Sequence, residues 1–182
     1  MYKDTKEIGI IDTYLDKILY QNLADSIKSK ADLNLLKLFG TELDVYNLTN
    51  IVRAKFWNMD SQMIKELLVS HTASTSDDLL SKMIDAENIK MSFIELSKTK
   101  FVDIIPTEGN DIFMINEFET KLNIFLYNSL LKEFANMFKL STAVSVVRLY
   151  DYEIQNLASI SYAVENNIST ETTMTKIIAP VQ

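Results

Sequence analysis

IDTYLDKILYQNL, residues Ile11–Leu23, sets without a gap over FETKLNIFLYNSL, residues Phe118–Leu130. Thr13/Thr120, Leu15/Leu122, Leu19/Leu126, Tyr20/Tyr127 and Leu23/Leu130 are identical, and Asp12/Glu119 and Asp16/Asn123 are close in chemistry. A second pair follows in the same order. DVYNLTNIVRAKFWNMD (Asp44–Asp60) lies over EIQNLASISYAVENNIS (Glu153–Ser169), with Asn47/Asn156, Leu48/Leu157, Ile51/Ile160, Ala54/Ala163 and Asn58/Asn167 in common. Leu and Ile recur in any two amphipathic helices. The polar coincidences at Thr13, Tyr20, Asn47 and Asn58 do not follow from periodicity. We therefore read a helical unit present twice, of the kind that buries apolar faces between units and presents a shared surface.

Outward from these stretches the chain is helical throughout. Ile8, Ile11, Leu15, Ile18, Leu19, Leu23 and Ile27 recur at three- and four-residue steps, one apolar stripe on a helix from Thr5 to about Ser29. A short helix over Leu33–Phe39 is expected to stop at Gly40, with Thr41 capping the next and Glu42 and Asp44 in its positive first turn. That next helix presents Val45, Leu48, Ile51, Val52 and Phe56 to the core. Asp60 caps a helix carrying Met63, Ile64, Leu67 and Leu68, and the polar run Ser70–Ser76 ends in another N-cap. A helix with Leu79, Leu80, Met83 and Ile84 comes next, and the capping-box spacing of Ser92 and Glu95 predicts one more. Pro106 and Gly109 meet only between Val102 and Asp111. The expected organisation is a first unit over 1–101, a connection over 102–111 and a second unit over 112–182. In the second unit we expect a long helix from about Asn116 to Phe138, a short one capped by Ser141 and reaching Leu149, one from Asp151 to about Glu165, and a last one capped by Ser169 and reaching Ile178.

Composition supports an all-α fold. The chain has 182 residues, 47% hydrophobic and 24% charged, with three Gly and two Pro, so helix breakers are scarce. There is no cysteine, which excludes disulfides and thiolate metal sites and is consistent with a reducing compartment. Net charge is −7, and the basic residues form no stripe, so nucleic acid is not an expected partner. No apolar run reaches the roughly 18–20 residues that span a bilayer, so membrane association is expected to go through a partner.

Catalytic constellations are missing. His71 is the only histidine, and a di-iron bundle or a zinc protease motif requires at least two. Gly9, Gly40 and Gly109 stand apart, which leaves no glycine-rich cradle for phosphates. No serine sits in a nucleophile elbow. The Asp77–Asp78 pair opens a helix, where the macrodipole accounts for it, and Trp57 and the eight Met read as core. We expect no catalytic, cofactor-binding or metal residues.

TELDVYNLTNIVRAKFWNMDSQMIKELL (Thr41–Leu68) resembles the C subunit of V-type and archaeal-type rotary ATPases, whose eukaryotic form is the d subunit. That family pairs a helix like Ile11–Leu23 with one carrying Asp44, Asn47, Leu48, Arg53 and Lys55, then a small polar break. YDYEIQNLASISYAVENNIS (Tyr150–Ser169) looks like the family's final helix. Members carry three such units. This chain holds two, matching the middle and last, and so reads as a fragment or short form. The Gly-Gly pair usual after the middle unit is replaced by LVSHTASTSDDLL. The resemblance implies tandem helical units side by side in a non-catalytic rotor part of the central stalk. Such a part sits between the central shaft and the membrane proteolipid ring and transmits torque for proton or sodium transport. It implies a cytoplasmic location, peripheral to the membrane through the complex, with no membrane span of its own. Asn47, Arg53 and Lys55 are the candidate contacts with shaft or ring, although Asn47 and Asn156 are equally suited to hydrogen bonds within each unit. A helical-repeat adaptor outside any rotary machine is the alternative, and partner identity separates the two.

Overall fold

The computed structural model describes residues 8–29, 32–136 and 138–179, with the side chains of 8–10, 12, 13 and 29 left aside. Every regular element among them is helical: α1 (Ile8–Ser29), α2 (Leu33–Phe56), α3 (Ser61–Leu67), α4 (Asp77–Asp85), α5 (Ile89–Leu96), a 3-10 turn (Val102–Ile104), α6 (Asp111–Phe134), α7 (Leu140–Glu165) and α8 (Thr170–Met174). The chain divides into two compact units, 1–115 and 116–182. The expected helix start at Thr5 and the match at Thr13 fall outside the described residues or side chains.

In the first unit α2 is the spine on which α1, α3, α4 and α5 all pack. Asp32 caps it by accepting from Leu35 N at 3.0 Å. The helix then runs through Gly40, where a stop was expected. The reason is tertiary. A Cβ on Gly40 would lie 3.0 Å from Ala73 N and 3.1 Å from His71 O, and Ala73 N donates to Gly40 O. Glycine is there to let the 70–76 loop cross the helix, not to end it. Thr41 accordingly does not cap but donates to Lys37 O one turn back. Asp44, expected in a first turn, lies mid-helix and fully buried, and accepts from Thr75 N and Thr75 Oγ1.

Leu43, Leu48, Ile51, Val52, Ile64, Met83, Ile84, Leu96 and Phe101 fill this unit's core. Each such burial contributes about 1.5–3 kcal/mol over the exposed state. Asp60 caps α3 and Ser76 caps α4, as the sequence predicts. The cap of α5 is Asn88, not Ser92. Ser92 sits inside the helix and donates to Met83 O at 2.7 Å, tying α5 to α4. Several residues expected in the core are not there, Met91 here and Met174 in the second unit among them. Trp57 is 64% exposed and Phe56 is exposed as well. The stripe of α1 is buried only towards its end, at Ala24 and Ile27, whereas Leu15 and Leu19 are exposed.

α6 starts at Asp111, after an Asn110 side chain that accepts from Phe113 N, and runs into the second unit to end at Phe134. Phe118, Leu122, Leu126 and Leu130 are buried. α7 is a single helix where two were expected, because nothing between Leu149 and Asp151 interrupts the backbone pattern. Ser141 is inside it and donates to Glu133 Oε1 of α6. The Tyr127 and Tyr152 rings meet edge-on at 5.5 Å, and Tyr152 Oη donates to Asn123 Oδ1.

The duplication extends to individual hydrogen bonds. Asn47 Nδ2 donates to Val69 O (2.8 Å) and its Oδ1 accepts from Val69 N (2.9 Å). Asn156 makes the same pair with Ile178, at 2.7 and 2.9 Å. Just past the C-caps of both α2 and α7 stands an asparagine at φ 53°, Asn58 and Asn167. Met59 N donates to Ala54 O and Ile168 N to Ala163 O, the bond that closes a Schellman turn. Asp60 and Ser169 then cap the following helices.

Replacing Asn47 by Ala strands a buried N–H and C=O at Val69. The expected loss is about 2–4 kcal/mol, with a smaller one for Asn156→Ala because Asn156 is less deeply buried; urea denaturation of the two variants checks the order. Burial pushes the Tyr46 phenol up to about 12, Asn50 opposing through a hydrogen bond. The folded chain thus holds this proton to higher pH than the unfolded one. Its stabilisation is complete below about pH 10 and is lost towards about pH 12. Unfolding midpoints across that range should fall less steeply in Tyr46→Phe, which keeps the ring packed on Tyr20.

Candidate partner-contact surface

Asn47, Arg53 and Lys55 lie on the C-terminal half of α2 but face three environments. Asn47 is fully buried, and both its amide atoms engage the Val69 backbone. Arg53 is exposed. Lys55 is half-buried, and its Nζ donates to Ile84 O at 2.8 Å and to Ala86 O. These are carbonyls at the end of α4, where a helix leaves acceptors unsatisfied and carries partial negative charge. Desolvation lowers the Lys55 pKa, with the Asp85 charge opposing. Nearby, Lys65 pairs with Asp85 at 3.2 Å across exposed surface, an interaction of small energetic weight.

The structure brings together a different set around Arg53. Trp57 is four residues on and Phe56 three, so both lie on the same side of the helix end. All three are exposed. Exposed Trp and Arg together are the residue types that concentrate binding energy at protein interfaces. Sequence reading placed Phe56 in the core because it continues the apolar period of α2, and Trp57 there by its residue type. The local signal against this was Asn58: a helix that ends there releases Trp57 into the C-cap turn.

His71, at φ 71° in the 70–76 loop, contacts Asp25 of α1 at 3.2 Å. Among the described residues no group of three or more His, Asp or Glu is placed to hold a metal ion. No described helix is long and apolar enough to cross a membrane.

The family model of the ATP synthase (C/AC39) subunit matches residues 1–176. The chain belongs to that family. The A-type ATP synthase C subunit of Pyrococcus horikoshii is 28% identical over 91% of this chain and 47% of its own length. The protein of the same name from Pyrococcus furiosus is 25% identical over 82% of this chain and 41% of its own, and that of Methanosphaera stadtmanae 23% over 88% and 43%. The chain thus spans just under half the length of these relatives. No solved structure matches it significantly. The family assignment agrees with the doubled Asn-bearing helix on which the resemblance was drawn.

Lys55→Met removes the cation from the end of α4 but keeps the aliphatic stem. It should cost about 1 kcal/mol. Hydrogen exchange should show the loss as faster opening of α4, with α7 unchanged.

Proposed function

We propose that the chain acts as a non-catalytic part of the central stalk of a V-type or A-type ATPase/ATP synthase. In this reading it joins the central shaft to the proteolipid ring and passes torque between them during proton or sodium transport. It is held at the cytoplasmic side of the membrane through the complex. The family match over residues 1–176 carries the proposal.

Physical features of the fold support it. A part that transmits torque needs helices that do not slide. Here the segments after α3 and α8 are each tied to a spine helix by a two-bond amide clasp, and α4 is pinned to α2 at both of its ends by Asp44 and Lys55. It also needs exposed groups that grip a partner, and Arg53, Phe56 and Trp57 supply an exposed cation with exposed aromatic side chains three and four residues on. We assign the contact role to this trio. Asn47 and Lys55 serve it by holding the helix beneath.

The test is co-purification of the chain with isolated central-shaft subunits and with detergent-solubilised proteolipid ring. Binding to at least one is expected, with Arg53→Ala/Trp57→Ala weakening it at least tenfold. Binding to neither, or ATP hydrolysis by the isolated chain, would overturn the reading.

A further inference from the structure

The polar 70–76 loop is fixed to α2 and to itself. Ala73 N donates to Gly40 O, Ser74 N and Thr75 N donate to the buried carboxylate of Asp44, and Thr72 Oγ1 donates to Thr75 O. His71 takes φ 71°, a backbone conformation that costs an L-residue energy and persists only where the surroundings hold it.

So fixed, the loop forms one wall of a recess of about 450 Å³. Lys28 near the end of α1, and Leu33, Leu36 and Lys37 in the first turns of α2, form the other sides, with His71 and Ser74 on the loop side. No carboxylate is among the described residues that line it. In a chain of net charge −7 that is a local exception, and two other recesses of the same unit show the contrast. One carries Asp85, Glu87 and Asp111 around Lys55, and the lysines of the other, Lys82 and Lys98, pair with Asp78 and Glu95. Lys28 and Lys37 are exposed and make no ion pair among the described residues, and the Ser74 hydroxyl has no hydrogen-bond partner among them. The acidic residues nearest to Lys28 in sequence are engaged elsewhere: Asp25 contacts His71 Nε2 at 3.2 Å, and Asp32 accepts from Leu35 N at 3.0 Å.

We propose that this recess binds a phosphate monoester. A lysine ammonium is a compact point charge suited to phosphate, and two of them match a dianion. The tetrahedral group carries three terminal oxygens, enough to meet Lys28, Lys37 and the Ser74 hydroxyl from separate directions, whereas a planar carboxylate has two. Leu33 and Leu36 offer apolar surface to the organic part of the ester. Because the loop wall is already bonded in place, little ordering is left for the ligand to drive. The inference stands on the first unit alone and is independent of the rotary reading.

The probes are phenyl phosphate, inorganic phosphate and phosphatidylcholine vesicles with and without phosphatidic acid, each tested on the full chain. Backbone amide NMR shifts follow the soluble anions, and co-sedimentation follows the vesicles. Phenyl phosphate should shift the amides of residues 71–74 saturably and bind several-fold more tightly than inorganic phosphate. Lys28→Gln/Lys37→Gln should weaken it tenfold or more, and Ser74→Ala several-fold. Leu33→Ser should weaken phenyl phosphate and leave inorganic phosphate unchanged. All these side chains are exposed, so the variants should keep the native circular dichroism. Retention on phosphatidic acid vesicles that the double lysine variant abolishes names a lipid headgroup as the source of the phosphate. Phenyl phosphate binding without vesicle retention names a soluble ester, and either result upholds the site. Three results overturn it: no binding of any probe at millimolar concentration, binding that survives the double lysine variant, or benzoate binding as tightly as phenyl phosphate, which would reduce the recess to an unselective positive patch.

Discussion

A buried asparagine amide that closes on the backbone 22 residues downstream is the constraint around which each unit is organised. The separation sets how far the chain travels before it returns: out along the remainder of the spine helix, around an asparagine turn, through a short capped helix and back. An amide fits this task because it donates and accepts at once, and so satisfies both the N–H and the C=O of one residue. In an apolar surrounding neither group has water as an alternative partner, which makes the return point specific. Val69 and Ile178 are the return points, both buried.

From this common frame the units diverge in what covers the spine. α2 is enclosed on nearly every side, to the extent that a carboxylate, Asp44, is buried at its middle and met by three donors from one loop. α7 keeps Tyr152, Asn156 and Ala163 buried and exposes the opposite side. The two spines show the same inward residues and different outward environments.

The all-α class, the duplicated unit and the family were readable from residues alone. Periodicity gave the helices, and polar matches that periodicity does not demand, above all Asn47/Asn156 and Asn58/Asn167, gave the repeat. Capping chemistry located Asp60, Ser76 and Ser169 because an N-cap is a local interaction between a side chain and an amide two or three residues on. The same reasoning failed at Gly40, Thr41, Ser92 and Ser141. Each carries a residue type that ends or begins helices, but three of them are engaged by a different segment: Gly40 by the crossing loop, Ser92 by α4, Ser141 by α6. Thr41 alone bonds within its own helix.

The contact candidates divide along the same line. Asn47, Arg53 and Lys55 share one helix and look equivalent as a string, and only packing separates the buried clasp, the exposed cation and the pinned lysine. Phe56 continues the apolar period of α2 yet is exposed, and Trp57 stands exposed at the helix's C-cap. By itself the sequence determined helix, repeat and family, because those rest on local propensity and on identities between distant segments. Tertiary structure decided which faces are covered and where helices end. Those depend on which segment arrives opposite each residue, and no local pattern encodes that arrival.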